Sequence, residues 1–73
     1  MSEQASEEAV RHYRVLANRN PDAHLPDLAG TLNNYAIQLA ESDRLDEAQR
    51  AADEALGIYR ELAARDPDAY LPG

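Results

Sequence analysis

A segment of fourteen residues occurs twice in this chain of 73 residues, and this repeat restricts the possible folds more than any other feature. Residues 13–26 match residues 59–72 at a fixed offset of 46, and ten of the fourteen positions are identical. A repeat of about 20 to 50 residues that is built from helices is typical of a solenoid, in which each unit packs on its neighbours. The chain is therefore predicted to contain parts of successive structural repeats.

Apolar residues recur at helical spacing in the middle of the chain, and this pattern predicts a hairpin of two amphipathic helices. The first of these helices is predicted to bury Leu28, Leu32, Tyr35, Ala36 and Leu39. The second is predicted to bury Leu45, Ala48, Ala52, Ala55, Leu56, Tyr59, Leu62 and Ala63. Several of these residues are alanines, so the two helices are expected to approach each other closely.

In total, three helices are predicted, over residues 3–19, 24–41 and 44–65, with a connector over 66–73. Pro21 is predicted to end the first helix, because a proline disfavours helical geometry in the residue before it. Pro26 is placed in the first turn of the second helix, where its missing N–H costs nothing. Asp43 is placed in the next turn, because Asp tolerates left-handed backbone better than most residues. On the first helix the inward positions are predicted to be Ala5, Ala9, Tyr13, Leu16 and Ala17.

The composition supports a single all-α domain over residues 1–73. Phe and Trp are absent, and the sequence lacks the β-branched and aromatic runs that a sandwich or barrel needs. The formal charge of −7, from 14 acidic and 7 basic residues, argues against nucleic acid and anionic membranes as partners. It leaves a neutral or basic peptide as a partner, or a role in solubility alone.

The sequence has neither cysteine nor a long apolar segment, and both absences affect what is expected of its cofactors and its cellular location. The chain has no cysteine, which excludes disulfides and thiolate metal sites. The first residues have no basic region followed by an apolar core, and no apolar run approaches a membrane span, which needs about 20 residues. A cytoplasmic protein without a cofactor is therefore expected.

The repeat indicates that the first and third helices are copies of one helix, B, and that the second is a different helix, A. The order B-A-B amounts to about one and a half 46-residue repeats. The first copy of B is more polar, with Ser6 and His12 where the third helix has Ala52 and Ile58, as is typical of a helix that caps a solenoid. The third helix keeps an apolar stripe that is predicted to be uncovered, since no further helix A follows it: Ala51, Ala55, Ile58 and Leu62.

Large and small residues along helix A follow the pattern of a known repeat family. The family has large residues at three positions of helix A, which are Leu32, Tyr35 and Leu39 here, and a small residue after the second, which is Ala36. On helix B, Ala55 occupies one of the positions where the family has a small residue. In these residues the chain resembles tetratricopeptide repeats, and it is similar to their long-repeat branch, which includes kinesin light chains and many bacterial proteins. It differs from the family in Asp43, where a glycine is usual, and in a period of 46 instead of about 34.

The resemblance implies an alpha-alpha superhelix, in which helix A lines a concave groove that holds peptides of other proteins. Asn33 and Asn34 match an asparagine pair that hydrogen-bonds the ligand backbone in that branch, and an amide suits this task because it both donates and accepts. Carried over by position, the candidate peptide-binding residues are Gly30, Asn33, Asn34, Ile37 and Glu41. Helix A has no Lys or Arg, so an acidic C-terminal tail is not expected as the ligand.

Two functions are weighed for this chain, and both are non-catalytic. The first is a protein-interaction module that presents helix A to a peptide and also self-associates. The second is a purely structural unit that self-assembles without a ligand, as a natural fragment or an engineered piece of a longer array. Self-association, as a two-fold dimer or by head-to-tail stacking, is predicted to use Ala51, Ala55, Ile58, Leu62, Tyr70 and Leu71.

An enzyme or a metal-binding domain is the remote third alternative. His12 and His24 lie in different elements and lack a metal-binding spacing. Acids cluster at the inter-helix turn, within residues 41–47, but acids at the start of a helix are typically caps and solvated surface. We therefore expect no catalytic residue, no metal and no cofactor.

Overall fold

The computed structural model describes residues 3–65 of the chain, and these residues form three α-helices. The helices are α1 (Glu3–Arg19), α2 (Pro21–Glu41) and α3 (Leu45–Arg65). No β-strand occurs within residues 3–65, so the all-α class predicted from the sequence is confirmed. The bounds of α1 are the predicted ones, and α3 begins one residue later than predicted.

Helix α2 begins at Pro21, three residues before the predicted start at residue 24. Only Asn20 separates it from α1, with a non-helical φ of −147° and ψ of 84°. Proline suits the first position of a helix because its φ is already helical and its missing N–H would have no partner there. Pro26 therefore lies inside α2, where it removes the N–H that the Asp22 carbonyl would otherwise accept. Asp22 is exposed, so water can satisfy that carbonyl.

Helix α2 is central, and both α1 and α3 pack on it. Two side-chain hydrogen bonds mark the antiparallel packing of α1. The Ser6 hydroxyl donates to Gln38 Oε1 at 2.7 Å, and the Tyr35 hydroxyl donates to Glu7 Oε2 at 3.3 Å. One helix thus contacts both neighbours, and its position determines theirs.

Ion pairs connect α3 to both other helices. Arg14 of α1 pairs with Glu54 of α3 at 2.7 Å, and Arg65 at the end of α3 pairs with Asp22 near the start of α2 at 3.0 Å. These side chains are largely exposed, so each pair contributes at most about 1 kcal/mol. The pairs orient the helices more than they stabilise them.

The core is a row of leucines on α2 between the alanine-rich faces of α1 and α3. Leu32 and Leu39 are the largest fully buried side chains, and each is only 1% exposed. Alanines on the flanking helices let the backbones approach these leucines closely. The inward face predicted for α2 is confirmed, with Tyr35 half-buried at its margin. The buried cluster comprises Val10, Ala17, Leu28, Leu32, Ala36, Leu39, Ala48, Ala51 and Ala55.

The inward faces of α1 and α3 differ from the sequence prediction. On α1, Val10 is buried whereas Ala5 is exposed. On α3, Leu45, Leu56 and Tyr59 are 61%, 48% and 39% exposed, although the sequence predicts all three to be buried. Apolar residues cover more than one side of α3, and helical spacing alone does not distinguish the side that packs. The buried side carries Ala48, Ala51, Ala55 and Leu62.

The turn between α2 and α3 has the backbone geometry that the sequence predicts. Asp43 has a φ of 64°, in the left-handed region. The N–H of Arg44 donates to the Leu39 carbonyl at 2.9 Å, and the N–H of Ser42 donates to the Gln38 carbonyl at 3.1 Å. These bonds satisfy carbonyls at the end of α2 that have no partner within the helix.

Truncating a core leucine should destabilise the fold far more than truncating an exposed aliphatic side chain. Leu32→Ala is expected to lower the free energy of unfolding by about 2–5 kcal/mol, because it leaves a cavity beside α1 and α3. Ile37→Ala is the control: Ile37 is exposed, and its truncation should change that free energy by less than about 0.5 kcal/mol. Urea denaturation followed by circular dichroism measures both, and equal effects would contradict the assigned core.

Substitutions at Asp43 should report on the left-handed turn. Asp43→Gly is expected to stabilise the protein by up to about 1 kcal/mol, because glycine adopts positive φ without a Cβ clash. Asp43→Val should destabilise it by about 1–2 kcal/mol, since a β-branched residue is strained in this region. Thermal unfolding of both variants measures the difference. A valine variant as stable as the glycine variant would show that the turn is not left-handed in solution.

The pKa of Tyr35 should lie above its ordinary value of 10.0, because burial raises it and the Glu7 carboxylate beside its hydroxyl raises it further. The folded protein thus holds this proton more tightly than the unfolded chain does. The resulting contribution to stability is complete below about pH 10 and is lost as the pH rises through the raised pKa. Near-ultraviolet absorbance titration of the wild type and of Tyr35→Phe isolates this tyrosine. Glu7→Gln should lower its pKa, and an unchanged pKa would contradict the hydrogen bond.

Candidate functional site

The five predicted peptide-binding residues lie on one face of α2, as their helical spacing requires. Asn33, Asn34, Ile37 and Glu41 are exposed, and Gly30 is half-buried. The leucines of α2 hold the helix in the core, so this face is presented to solvent by a fixed element. The structure therefore brings the predicted residues together on an accessible surface.

Neither Asn33 nor Asn34 hydrogen-bonds through its side-chain amide to another residue within 3–65. Each amide retains two N–H donors and a carbonyl acceptor. Gly30 lies about one turn earlier, and a Cβ at its position would have no atom within 4 Å. The surface beside the amides is thus open enough for another chain to approach.

Among Asp, Glu, Lys and Arg, helix α2 contains only the acidic types. Asp22, Asp27 and Glu41 are carboxylates, and the helix contains no Lys or Arg. Asp22 pairs with Arg65 of α3, whereas Glu41 lies on the exposed face. An acidic ligand would therefore meet no Lys or Arg side chain on this helix.

An apolar groove runs beside this face, between α2 and α3. Ile37 on one wall and Leu45 on the other are each more than half exposed. Sequence reasoning missed this groove because it assigned Leu45 to the core. No residue of α1 contributes to the lining, which comprises Asn33, Ala36, Ile37, Ala40, Leu45, Ala48, Gln49 and Ala52.

The stripe predicted to mediate self-association is covered within the chain, so the prediction of an uncovered surface there is wrong. Ala51, Ala55 and Leu62 are 6%, 3% and 4% exposed, and Ile58 is partly buried against the core. Helix α2 packs on α3, whereas the sequence predicted that a following helix A would be needed to cover this stripe. The other two predicted residues, Tyr70 and Leu71, lie outside the described residues.

The two histidines lie on different helices, His12 on α1 and His24 on α2. On α1, His12 packs edge-on against Tyr13 with ring centroids 5.6 Å apart. On α2, His24 Nδ1 lies 3.7 Å from Oδ2 of Asp27, one turn later on the same helix. Within residues 3–65, no three His, Cys, Asp or Glu side chains are grouped so that they could hold a metal ion. Their geometry is that of side chains packed at helix surfaces.

None of the helices within residues 3–65 combines the length and the apolar character needed to cross a bilayer. No protein-family model, curated protein or solved structure matches the chain. Inference about its function therefore rests on its own residues and surfaces.

Proposed function

We propose that this chain is a protein-interaction module of the tetratricopeptide type, which presents α2 to a peptide of another protein. The observation that carries the proposal is the exposed amide pair Asn33 and Asn34, whose donors and acceptors are free within the described chain. A peptide backbone offers both donors and acceptors, and a side-chain amide pairs with either. Ile37 lies on the same face and would add apolar contact to a ligand side chain.

The order of helices supports a repeat architecture for this module. Helices α1 and α3 carry copies of one sequence, and both pack on α2. We infer a segment of an alpha-alpha superhelix with about one and a half 46-residue repeats, in which α2 faces the concave side. A cytoplasmic location remains the prediction from the sequence.

The proposed ligand is a neutral or basic peptide that binds weakly to a single repeat. The acidic side chains of α2 disfavour a negatively charged ligand. Association costs at least several kcal/mol in lost translational and rotational freedom, which two amides and one aliphatic side chain scarcely offset. Strong binding would require several such helices to act on one ligand.

No catalytic role is proposed for the chain. Its exposed α2 face offers amides, an aliphatic side chain and the Glu41 carboxylate, and no His or Cys is among these residues. General acid–base or nucleophilic catalysis requires a positioned pair of such groups. The residue types on this face suit recognition of a ligand.

A second candidate is a structural unit that self-assembles without a ligand. The observation that favours it is the exposure of Leu45, Leu56 and Tyr59 on α3. Exposed apolar stripes of this kind mark interaction surfaces. The two candidates differ in the surface that they use, α2 for a peptide and α3 for another copy of the chain.

Removing both amides, by Asn33→Ala with Asn34→Ala, should weaken the binding of peptides selected from a random library on the wild-type chain. The expected loss is about 10- to 30-fold, because each hydrogen bond contributes about 1 kcal/mol. Fluorescence anisotropy with the selected peptides measures the dissociation constants.

Asn18→Ala is the matched control for this experiment. Asn18 is also an exposed asparagine, but it lies on α1, so its truncation should leave the affinity unchanged. Equal affinities of the wild type and the double variant would remove the asparagines from the site. Failure to select any peptide would contradict the peptide-binding proposal itself.

A further inference from the structure

Helix α3 has two neighbouring apolar faces: one is buried, and the other keeps its larger side chains exposed, with Ala52 packed partly against the core at the boundary. The covered face packs on α2 through Ala51, Ala55 and Leu62. The other face lies at helical spacing along the whole of α3, with its larger side chains in solvent. We call it the open face, and it comprises Leu45, Ala52, Leu56, Tyr59 and Ala63.

The internal repeat identifies what the open face is built to bind. Helix α1 contacts α2 through the hydroxyl of Ser6 and through three further residues that are buried or packed on the core: Val10, Tyr13 and Ala17. At the repeat offset of 46, these four positions correspond to Ala52, Leu56, Tyr59 and Ala63. The open face of α3 is thus the counterpart of the α2-binding face of α1.

We propose that the open face of α3 binds α2 of a second copy of this chain, on the side that α1 covers within one chain. A second copy is required because α3 already packs on its own α2 through the neighbouring face, and only residues 42–44 join the two helices. One α2 cannot occupy both faces. The proposal stands independently of peptide binding by α2, and it supplies a surface and a partner for self-association.

Charge complementarity supports this occupant. Arg14 of α1 pairs with Glu54 across the α1–α3 gap. Its counterpart on α3 is Arg60, which forms no ion pair with another residue in 3–65. If α3 of one copy takes the place of α1 on another, Arg60 comes to lie beside Glu54 of that second copy. Arg60, which has no ion-pair partner within residues 3–65, would then gain the carboxylate partner that Arg14 already has.

If α3 of one copy replaces α1 on the α2 of another copy, most of the contacts that α1 makes are replaced by contacts of a similar kind. Tyrosine and alanine are retained at two of the four positions, and leucine replaces valine at a third. Glu7, which accepts the hydrogen bond from Tyr35, corresponds to another carboxylate, Asp53. The contact that is lost is the Ser6–Gln38 hydrogen bond, since Ala52 has no hydroxyl. The open face therefore competes with α1 for the same side of α2.

The resulting assembly is head-to-tail, because α3 of one copy meets α2 of the next. The average mass measured by light scattering should rise with concentration, and Leu56→Glu or Tyr59→Glu should shift the chain to monomer. Val15→Glu is the matched control: Val15 is exposed on α1 outside the contact, and its repeat counterpart is Glu61. This variant should retain the mass of the wild type, and so should Asn34→Ala, which lies outside the lining of the α2–α3 groove and tests α2 peptide binding separately.

Cross-linking distinguishes head-to-tail exchange from two-fold pairing of open faces. The chain has no cysteine, so single-cysteine variants can be made without background. Ala52→Cys mixed with Gln38→Cys should give the mixed dimer with a short thiol cross-linker, because Ser6, the counterpart of Ala52, touches Gln38. Val15→Cys mixed with Gln38→Cys should give far less. A strictly monomeric chain up to its solubility limit, or cross-links only between two Ala52→Cys chains, would overturn the proposal.

Discussion

Burial of the α2 leucines holds the structure together. Leu32 and Leu39 lie between two alanine-rich helices, and α1 and α3 approach each other mainly through the exposed pair Arg14–Glu54. An exposed ion pair contributes little, so the apolar contacts with α2 supply most of the energy that positions both outer helices. The same burial leaves the opposite face of α2 in solvent on a fixed helix, which is the condition for presenting Asn33 and Asn34.

The helices and the inter-helix turn could be predicted from the sequence because their signals are local. Leucine spacing identifies the buried face of α2, and Asp43 adopts the left-handed backbone expected of it. The start of α2 could not be placed correctly, since Pro21 and Pro26 are both compatible with a first turn. The exposed face of α2 is likewise predictable, because the side chains away from the leucine stripe are mostly polar, as at Asn33, Asn34 and Glu41.

The packing of α3 could not be predicted from its periodicity. Its apolar residues cover two sides of the helix, and spacing is equally consistent with burial of either side. Which side packs depends on the path of the chain through the turn, a tertiary property. The repeat adds information that periodicity lacks: Val10 is part of the core with α2, so we infer that its counterpart Leu56 faces an α2 other than its own.

The open face of α3 and the amide face of α2 adjoin each other, and this proximity links the two proposals. Asn33 and Ile37 line the same groove as Leu45 and Ala52. A second α2 seated on the open face would lie along this groove, so the assembled copies would carry two amide pairs. A peptide that spans both pairs gains from the second contact without a second loss of translational freedom. Assembly through α3 would thus convert the weak site of one repeat into a stronger multivalent one.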